Sequence, residues 1–261
     1  APTVVLHAPP TDPQSLADAL TALPASATDD EALAVLRALR RASHDEAARE
    51  AVLDPRVVAR AVEYAALSAA APRAWSDGGA SAEATVLLHN LLVLDRDGVG
   101  GAMCAPPLAA LPQLVATLEA AGELHPARLR FVGHVAFHLS LVASARPHAA
   151  ALLRACQAAL SAAVEELASA APRDPQASAE LAAQLARALF NLLRLEPPTG
   201  GAAAARLAED MGGEVTRLLG CTARPSAAGT AAATADAADA LLEAQLASLQ
   251  LCVVLPKELA F

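Results

Sequence analysis

The chain contains 261 residues and carries a net charge of −9, with 55% hydrophobic but only 2% aromatic residues. This acidic balance lacks the basic footprint of nucleic-acid-binding proteins, so nucleic acid is excluded as an expected partner. Alanine supplies much of the apolar content and is the best helix former, whereas sustained alternation of Val, Ile, Thr and Tyr is missing. The composition therefore predicts an all-α chain, and the length fits a single domain over residues 1–261.

The first half of the chain opens with a proline-rich segment, residues 1–13, which we expect to be poorly ordered. Asp29 and Asp30 offer an N-cap for a helix that runs through Ser43. Asp54-Pro55 offers a cap followed by a first-turn proline. Helices are predicted at 15–23, 29–43, from 45, at 55–70 and at 81–94, with a loop at 71–80.

The second half continues the same alternation of helices and short connections. Proline marks several of the predicted starts, as expected for the first turn of a helix. Residues 221–234 are a low-complexity run that we expect to form a flexible loop. Helices are predicted at 106–121, 125–143, 147–168, 176–195, up to 219, and at 236–255.

A short apolar helical phrase with one polar residue recurs about every 50 residues, for example in Leu87–Leu92 and Leu189–Leu193. This period is slightly longer than the ~40–47 residues of armadillo and HEAT repeats. It predicts a right-handed armadillo/HEAT-like superhelix of stacked repeats, with one helix of each repeat on a concave surface. The polar residues are separated by 53, 48, 53 and 59 positions: Arg37, Asn90, His138, Asn191 and Gln250.

Four-residue spacing, which places side chains on one helix face, gives the pairs Arg37 and Arg41, His134 and His138, and Arg187 and Asn191. Side by side, these residues would form a groove suited to an extended or helical peptide. For Asn90 and Asn191 two interpretations stay open, a contact with a bound peptide and a structural amide bonded to the backbone of the neighbouring repeat. For Arg37 and Arg41 the alternative is a solvated helix face.

Signatures of catalysis and cofactor binding are missing from the sequence. No Gly-x-x-x-x-Gly-Lys-Ser/Thr loop is present, so direct nucleotide binding is not expected. His134 and His138 have metal-ligand spacing, but His134 is not followed by Glu and no third ligand is evident, so no metal is predicted. The adjacent carboxylates Glu165 and Glu166 point apart on a helix. We expect neither an enzyme nor a cofactor.

The cellular setting is predicted from cysteine usage and hydropathy. The four cysteines are far apart, which suits a reducing, cytoplasmic location. No signal peptide or transmembrane segment is predicted, because the longest uncharged run, residues 98–118, contains three prolines. We expect a monomer, and the start at Ala1 rather than Met indicates a piece of a longer protein.

The ordered series of these blocks resembles the N-terminal half of the synembryns. The similarity extends over most of residues 30–256 and depends on the order and spacing of the blocks, since an apolar helix with one Asn occurs in many armadillo proteins. The blocks are Leu36–Arg41, Glu83–Leu94, Phe131–Ala143 and Ala188–Leu192.

Synembryns are cytosolic chaperones and non-receptor guanine-nucleotide exchange factors for heterotrimeric G-protein α subunits. The resemblance implies a superhelix whose concave face grips the C-terminal helix of an α subunit. By position, Arg37, Arg41 and Asn90 match family residues that face this helix, and Asn191 matches a later one. His138 departs from the mostly apolar family residue. The alternative is a generic armadillo/HEAT adaptor for another helical or extended peptide.

Overall fold

The computed structural model describes residues 12–23, 28–65, 78–106, 108, 110–195, 202–222 and 231–254. Every regular element within these ranges is helical, which confirms the prediction of an all-α chain. The α-helices are α1 (Pro13–Ala22), α2 (Asp29–Ala42), α3 (Arg49–Val52), α4 (Pro55–Tyr64), α5 (Ala80–Leu94), α6 (Arg96–Cys104), α7 (Ala110–Glu119), α8 (Pro126–Leu139), α9 (Ala149–Ala168), α10 (Pro175–Leu195), α11 (Ala202–Gly220) and α12 (Ala231–Val254).

The predicted start of α8 at His125-Pro126 is confirmed, whereas α1, α7 and α12 begin at Pro13, Ala110 and Ala231 rather than at the predicted 15, 106 and 236. The cap of α2 also differs from the prediction. The N-cap of this helix is Thr28 rather than an aspartate, because the Thr28 side chain accepts the Glu31 N–H while Glu31 accepts the Thr28 N–H at 2.7 Å. This reciprocal arrangement satisfies two donors at once. Asp54 caps α4 and Pro55 occupies its first turn, as predicted.

The helix α6 was not predicted, because residues 95–98 were interpreted only as the end of α5. Asp95 ends α5 and also caps α6, where its side chain accepts the Gly98 N–H at 3.0 Å. A Cβ on Gly98 would lie 2.2 Å from Asp95 Oδ2, so a larger residue would displace the capping carboxylate. The two helices therefore follow each other without a loop.

Two predicted loops and the predicted disordered start fall largely on residues that the structure does not describe. Residues 71–77 and 223–230 lie outside the described ranges, as do residues 1–11. At the edges the predictions were too long, since Pro13 already belongs to α1, Ala80 to α5 and residues 231–234 to α12.

The chain divides into two compact units, residues 1–110 and residues 111–261. In the first unit, α5 packs against α2 and α4, and α1 packs against α2 and α4. The apolar faces of α2 and α5 supply much of its core, including Leu36, Leu39, Leu87 and Leu88.

The second unit consists of two layers of helices. α10 packs between α8 and α12 in one layer, and α9 and α11 form the other. Gly133 of α8 allows α10 to approach closely, because a Cβ there would lie 2.8 Å from Leu181 Cδ1. We call the first layer the α8–α10–α12 layer.

One helix has the length and hydropathy of a membrane span. Ala235–Val254 in α12 has a mean hydropathy of 1.3, and 33% of the segment is buried. One side of this helix packs on α10, and the exposed side carries Leu242, Leu246, Leu249 and Val253. A single such helix is weak support for a membrane span, since a core helix passes the same test.

Shortening a core leucine of α5 should destabilise the chain strongly. Leu88 is fully buried, so we expect Leu88→Ala to lower the free energy of unfolding by about 2–5 kcal/mol. Val93→Ala in the same helix is the matched control, because Val93 is 61% exposed and should change stability by less than about 0.5 kcal/mol. Urea unfolding followed by circular dichroism measures both, and equal losses would contradict the packing described for α5.

Candidate functional site

Asn90 links α5 to the end of α2. Its Nδ2 donates to Ser43 Oγ at 2.9 Å, and Ser43 Oγ donates to the Arg40 carbonyl at 2.7 Å. Ser43 is the C-cap of α2, so the amide of Asn90 reaches the turn in which backbone carbonyls lack helical partners. His44 Nε2 lies 3.5 Å from the same amide nitrogen.

Asn191 makes the same contact in the second unit. Its Nδ2 donates to Ser140 Oγ at 3.0 Å, and Ser140 Oγ donates to the Phe137 carbonyl at 2.6 Å. Ser140 is the C-cap of α8. Asn90 and Asn191 therefore bridge neighbouring helices, as the structural interpretation of these residues required, although the partner is a serine side chain rather than the backbone.

Ion pairs form a second set of bridges in the first unit. Glu83 of α5 accepts from Arg40 Nε at 2.6 Å and from Arg37 Nε at 3.2 Å, with only 13% of its side chain exposed. Arg37 Nη2 also donates to the Gly78 carbonyl at 2.9 Å. Gly78 has a φ of 74°, a conformation that favours glycine. Arg37 is thus held within the unit.

Two further ion pairs connect the helices of the α8–α10–α12 layer. Arg130 Nη1 of α8 lies 3.5 Å from Glu180 Oε2 of α10. Arg187 Nη2 of α10 lies 3.3 Å from Glu243 Oε2 of α12, and about a third of the Arg187 side chain is exposed. The predicted site residue Arg187 is therefore paired across helices, like Arg37.

The remaining candidate residues differ in their surroundings. Arg41 is exposed and makes no ion pair or hydrogen bond to any described residue. Gln250 is exposed on α12. His138 is half-buried and its ring meets the Phe137 ring edge-on, with centroids 5.2 Å apart. His134 is half-buried on α8 and lines a cavity.

This cavity has a volume of about 380 Å³ and lies between the helices of the α8–α10–α12 layer. Four carboxylates border it, which the sequence interpretation did not include in the site. We call it the acidic cavity, and its lining residues are His134, Gln176, Glu180, Ala183, Gln184, Asp236, Asp239, Ala240 and Glu243. Glu243 connects it to Arg187 through the ion pair described above.

The sequence interpretation also missed the serines that accept from the asparagines. A signal for them exists, because Ser43 precedes Asn90 by 47 residues and Ser140 precedes Asn191 by 51. These separations match the repeat period. They went unnoticed because a serine at the end of an alanine-rich helix has no distinctive sequence context.

Chemistry at the cysteines and metal coordination have little support in the described residues. Burial raises the pKa of the Cys156 thiol to about 12, which keeps it protonated and unreactive near neutral pH. Burial also raises the pKa of Cys104. Within the described ranges, no group of three or more His, Cys, Asp or Glu side chains could hold a metal ion.

Comparison with known proteins leaves the function to be argued from the residues themselves. No protein-family model matches the chain, and no curated protein matches it. The asparagine–serine bridges, the exposed Arg41 and the acidic cavity are the observations from which a function can be proposed.

The asparagine–serine bridge should appear as a coupling energy. We expect Asn191→Ala and Ser140→Ala to be non-additive in the free energy of unfolding by about 0.5–1.5 kcal/mol, because each removes the same hydrogen bond. Pairing Asn191→Ala with Ser144→Ala is the control, since Ser144 is exposed one turn further on. Urea unfolding of all single and double variants gives both cycles, and a coupling near zero for Ser140 would show that the bridge contributes nothing.

Proposed function

We propose that the chain is an armadillo/HEAT-like repeat protein that binds the C-terminal helix of a heterotrimeric G-protein α subunit. In this role it acts as a chaperone and non-receptor guanine-nucleotide exchange factor. The proposal assigns peptide contacts to the α2–α5 face of the first unit and to the α8–α10–α12 layer of the second, each taken by itself. It includes a right-handed superhelix, a monomer and a cytoplasmic location.

The repeated bridges support the repeat architecture. In both units an asparagine contacts the serine that ends the preceding helix of its layer. Helix α2 runs parallel to α5, and α8 runs parallel to α10. In each pair, residues late in one helix contact residues late in the other. Parallel helices stacked in one layer are typical of repeat proteins in which each unit buries its face on a neighbour.

The observation that carries the partner proposal is the exposed Arg41. Its neighbour on the same helix face, Arg37, is engaged by Glu83 and the Gly78 carbonyl, whereas Arg41 has no described partner. An exposed guanidinium two residues before Ser43 can take a carboxylate in a bidentate contact. The C-terminus of a polypeptide ends in such a carboxylate, which fits capture of a C-terminal helix.

Exchange of this kind requires binding rather than catalysis by side chains. A factor that binds the nucleotide-free conformer of an α subunit more tightly than the nucleotide-bound one shifts the population toward release. The same preference stabilises a newly made α subunit. No cofactor, metal or direct contact with nucleotide phosphates is needed, and the proposal does not involve an enzyme.

A generic adaptor for another helical or extended peptide is the second candidate. The acidic cavity favours it, because Asp236 and Asp239, which form no ion pair with a described residue, suit basic side chains in whatever peptide binds. Pull-down from the source organism separates the candidates. Recovery of partners without any G-protein α subunit would favour the adaptor.

Binding of a peptide taken from the C-terminus of a G-protein α subunit should depend on Arg41. We expect saturable binding in a fluorescence-anisotropy titration and a loss of about three- to tenfold in affinity for Arg41→Ala, as for removal of one charge-assisted contact. The combined Arg41→Ala and Asn90→Ala variant should bind more weakly still.

Arg154→Ala is the matched control, because Arg154 is an exposed arginine on α9. Its affinity for the peptide should equal that of the unmodified chain. No binding of the peptide, or binding that is unchanged in the Arg41 and Asn90 variants, would overturn the proposed partner.

A further inference from the structure

A second cavity of the second unit lies between the end of α9 and the start of α10. Its volume is about 520 Å³, inside the range of about 300–1,000 Å³ that is usual for small-ligand sites. We call it the serine cavity, because Ser178 of α10 lines it. The start of α8, the turn before α8 and Arg217 of α11 complete its walls. It shares no lining residue with the acidic cavity.

Apolar side chains form most of the wall of the serine cavity. Leu129 of α8, Ala163 of α9 and Leu181 of α10 are at most 3% exposed, so this part of the wall belongs to the core. Alanine side chains end at Cβ and leave room beside the helix backbone. Four of them line the cavity: Ala121, Ala162, Ala163 and Ala168. Walls of this kind suit the apolar body of a ligand.

The charged groups at the cavity favour a neutral ligand. Arg173 is paired with Glu166 at 3.0 Å, and Arg217 is paired with Glu214 at 3.2 Å. Glu165 is exposed and has no ion pair with any described residue. Since both arginines are already paired and the free carboxylate repels anions, an anionic ligand is disfavoured. A single exposed carboxylate also adds little to the binding of a cation.

The hydroxyl of Ser178 is the observation that points to a ligand. The residue is 1% exposed, and its Oγ makes no hydrogen bond to any described residue. Its backbone N–H is bonded to the Asp174 carbonyl at 3.0 Å, so only the side chain is unsatisfied. The other buried serines of the described ranges each donate to a backbone carbonyl: Ser43, Ser81, Ser140 and Ser248.

A buried hydroxyl without a partner is energetically costly, and a native protein that retains one needs a reason for it. At a cavity wall, an external group that donates or accepts a hydrogen bond removes this cost. The serine cavity therefore combines an apolar wall, compensated charges and one unsatisfied polar atom.

We infer that the serine cavity binds a phenol, with the ring against the alanine and leucine walls and the phenolic hydroxyl bonded to Ser178 Oγ. A phenol carries a large apolar face and a single polar group, which matches this combination. Both hydroxyls donate and accept, so the bond forms in either direction. A free small phenol and the tyrosine side chain of a bound protein share this chemistry. The inference goes beyond the proposed function and does not depend on the α subunit.

Two fluorinated probes test the site through ¹⁹F NMR of the probe itself. 4-Fluorophenol has the proposed hydroxyl, and fluorobenzene has the same ring without it. We expect saturable binding of both to the full chain, with 4-fluorophenol at least about fivefold tighter, as for one net hydrogen bond.

Ser178→Ala removes the hydroxyl alone. We expect the affinity for 4-fluorophenol to fall about fivefold, to that of fluorobenzene, while the affinity for fluorobenzene stays unchanged. Because this hydroxyl has no internal partner, the variant should keep or raise the midpoint of urea unfolding without a ligand, so a folding defect does not confuse the result. Ser144→Ala, at an exposed position, is the matched control and should leave both affinities unchanged.

Filling the cavity should weaken both probes together. Ala162→Leu adds side-chain volume at a lining position, and we expect at least about a tenfold loss for 4-fluorophenol and for fluorobenzene. Ala158→Leu makes the same change at an exposed position one turn earlier on α9, outside the lining, and should change neither affinity.

The source of the phenol is separated by competition with N-acetyl-tyrosinamide. Displacement of 4-fluorophenol assigns the cavity to a tyrosine side chain, and failure to displace it assigns the cavity to a free phenol. Four results would overturn the inference: no saturable binding of 4-fluorophenol, equal affinity for the two probes, an unchanged affinity ratio in Ser178→Ala, or equal losses in Ala162→Leu and Ala158→Leu. Failure of the α-subunit peptide to bind would leave the serine cavity unaffected.

Discussion

The hydrogen bond from an asparagine to the serine that ends the preceding helix of the layer sets the geometry of both units. It joins two side chains near the ends of parallel helices, so it fixes the axial register between the two helices. An α-helix rises 1.5 Å per residue, and a slip of one residue would break a contact that is only about 3 Å long. The packing of leucines supplies most of the stability, but leucines tolerate small shifts that this bond does not.

The ion pairs depend on that register. Once Asn90 is bonded to Ser43, Glu83 lies two turns earlier on α5 and meets the arginines of α2. In the second unit the same register brings Gln184 against α8. The positions that match Arg37 and Arg40, six and three residues before Ser140, hold His134 and Phe137 there. A common scaffold thus produces a satisfied ion pair in one unit and an open acidic cavity in the other.

This difference gives the two units opposite chemical preferences. The first presents an exposed arginine, Arg41, and the second presents exposed carboxylates at the acidic cavity. Under the functions proposed above, the first unit suits a carboxylate and the second suits a cation. Electrostatic matching of this kind contributes to specificity more than to raw affinity, because each exposed charge pair is worth little alone.

The sequence by itself determined the all-α class, the start of α4 at Asp54-Pro55 and the recurrence of Asn90 and Asn191, because capping, proline placement and periodicity are local signals. It did not determine α6, since Asp95 ends one helix and caps the next, and a single residue can carry either signal. The partners of Arg37, Arg187 and the asparagines were decided only by tertiary structure. Residues 46–56 positions apart meet only when packed helices fix their register, and spacing within one helix contains no such information.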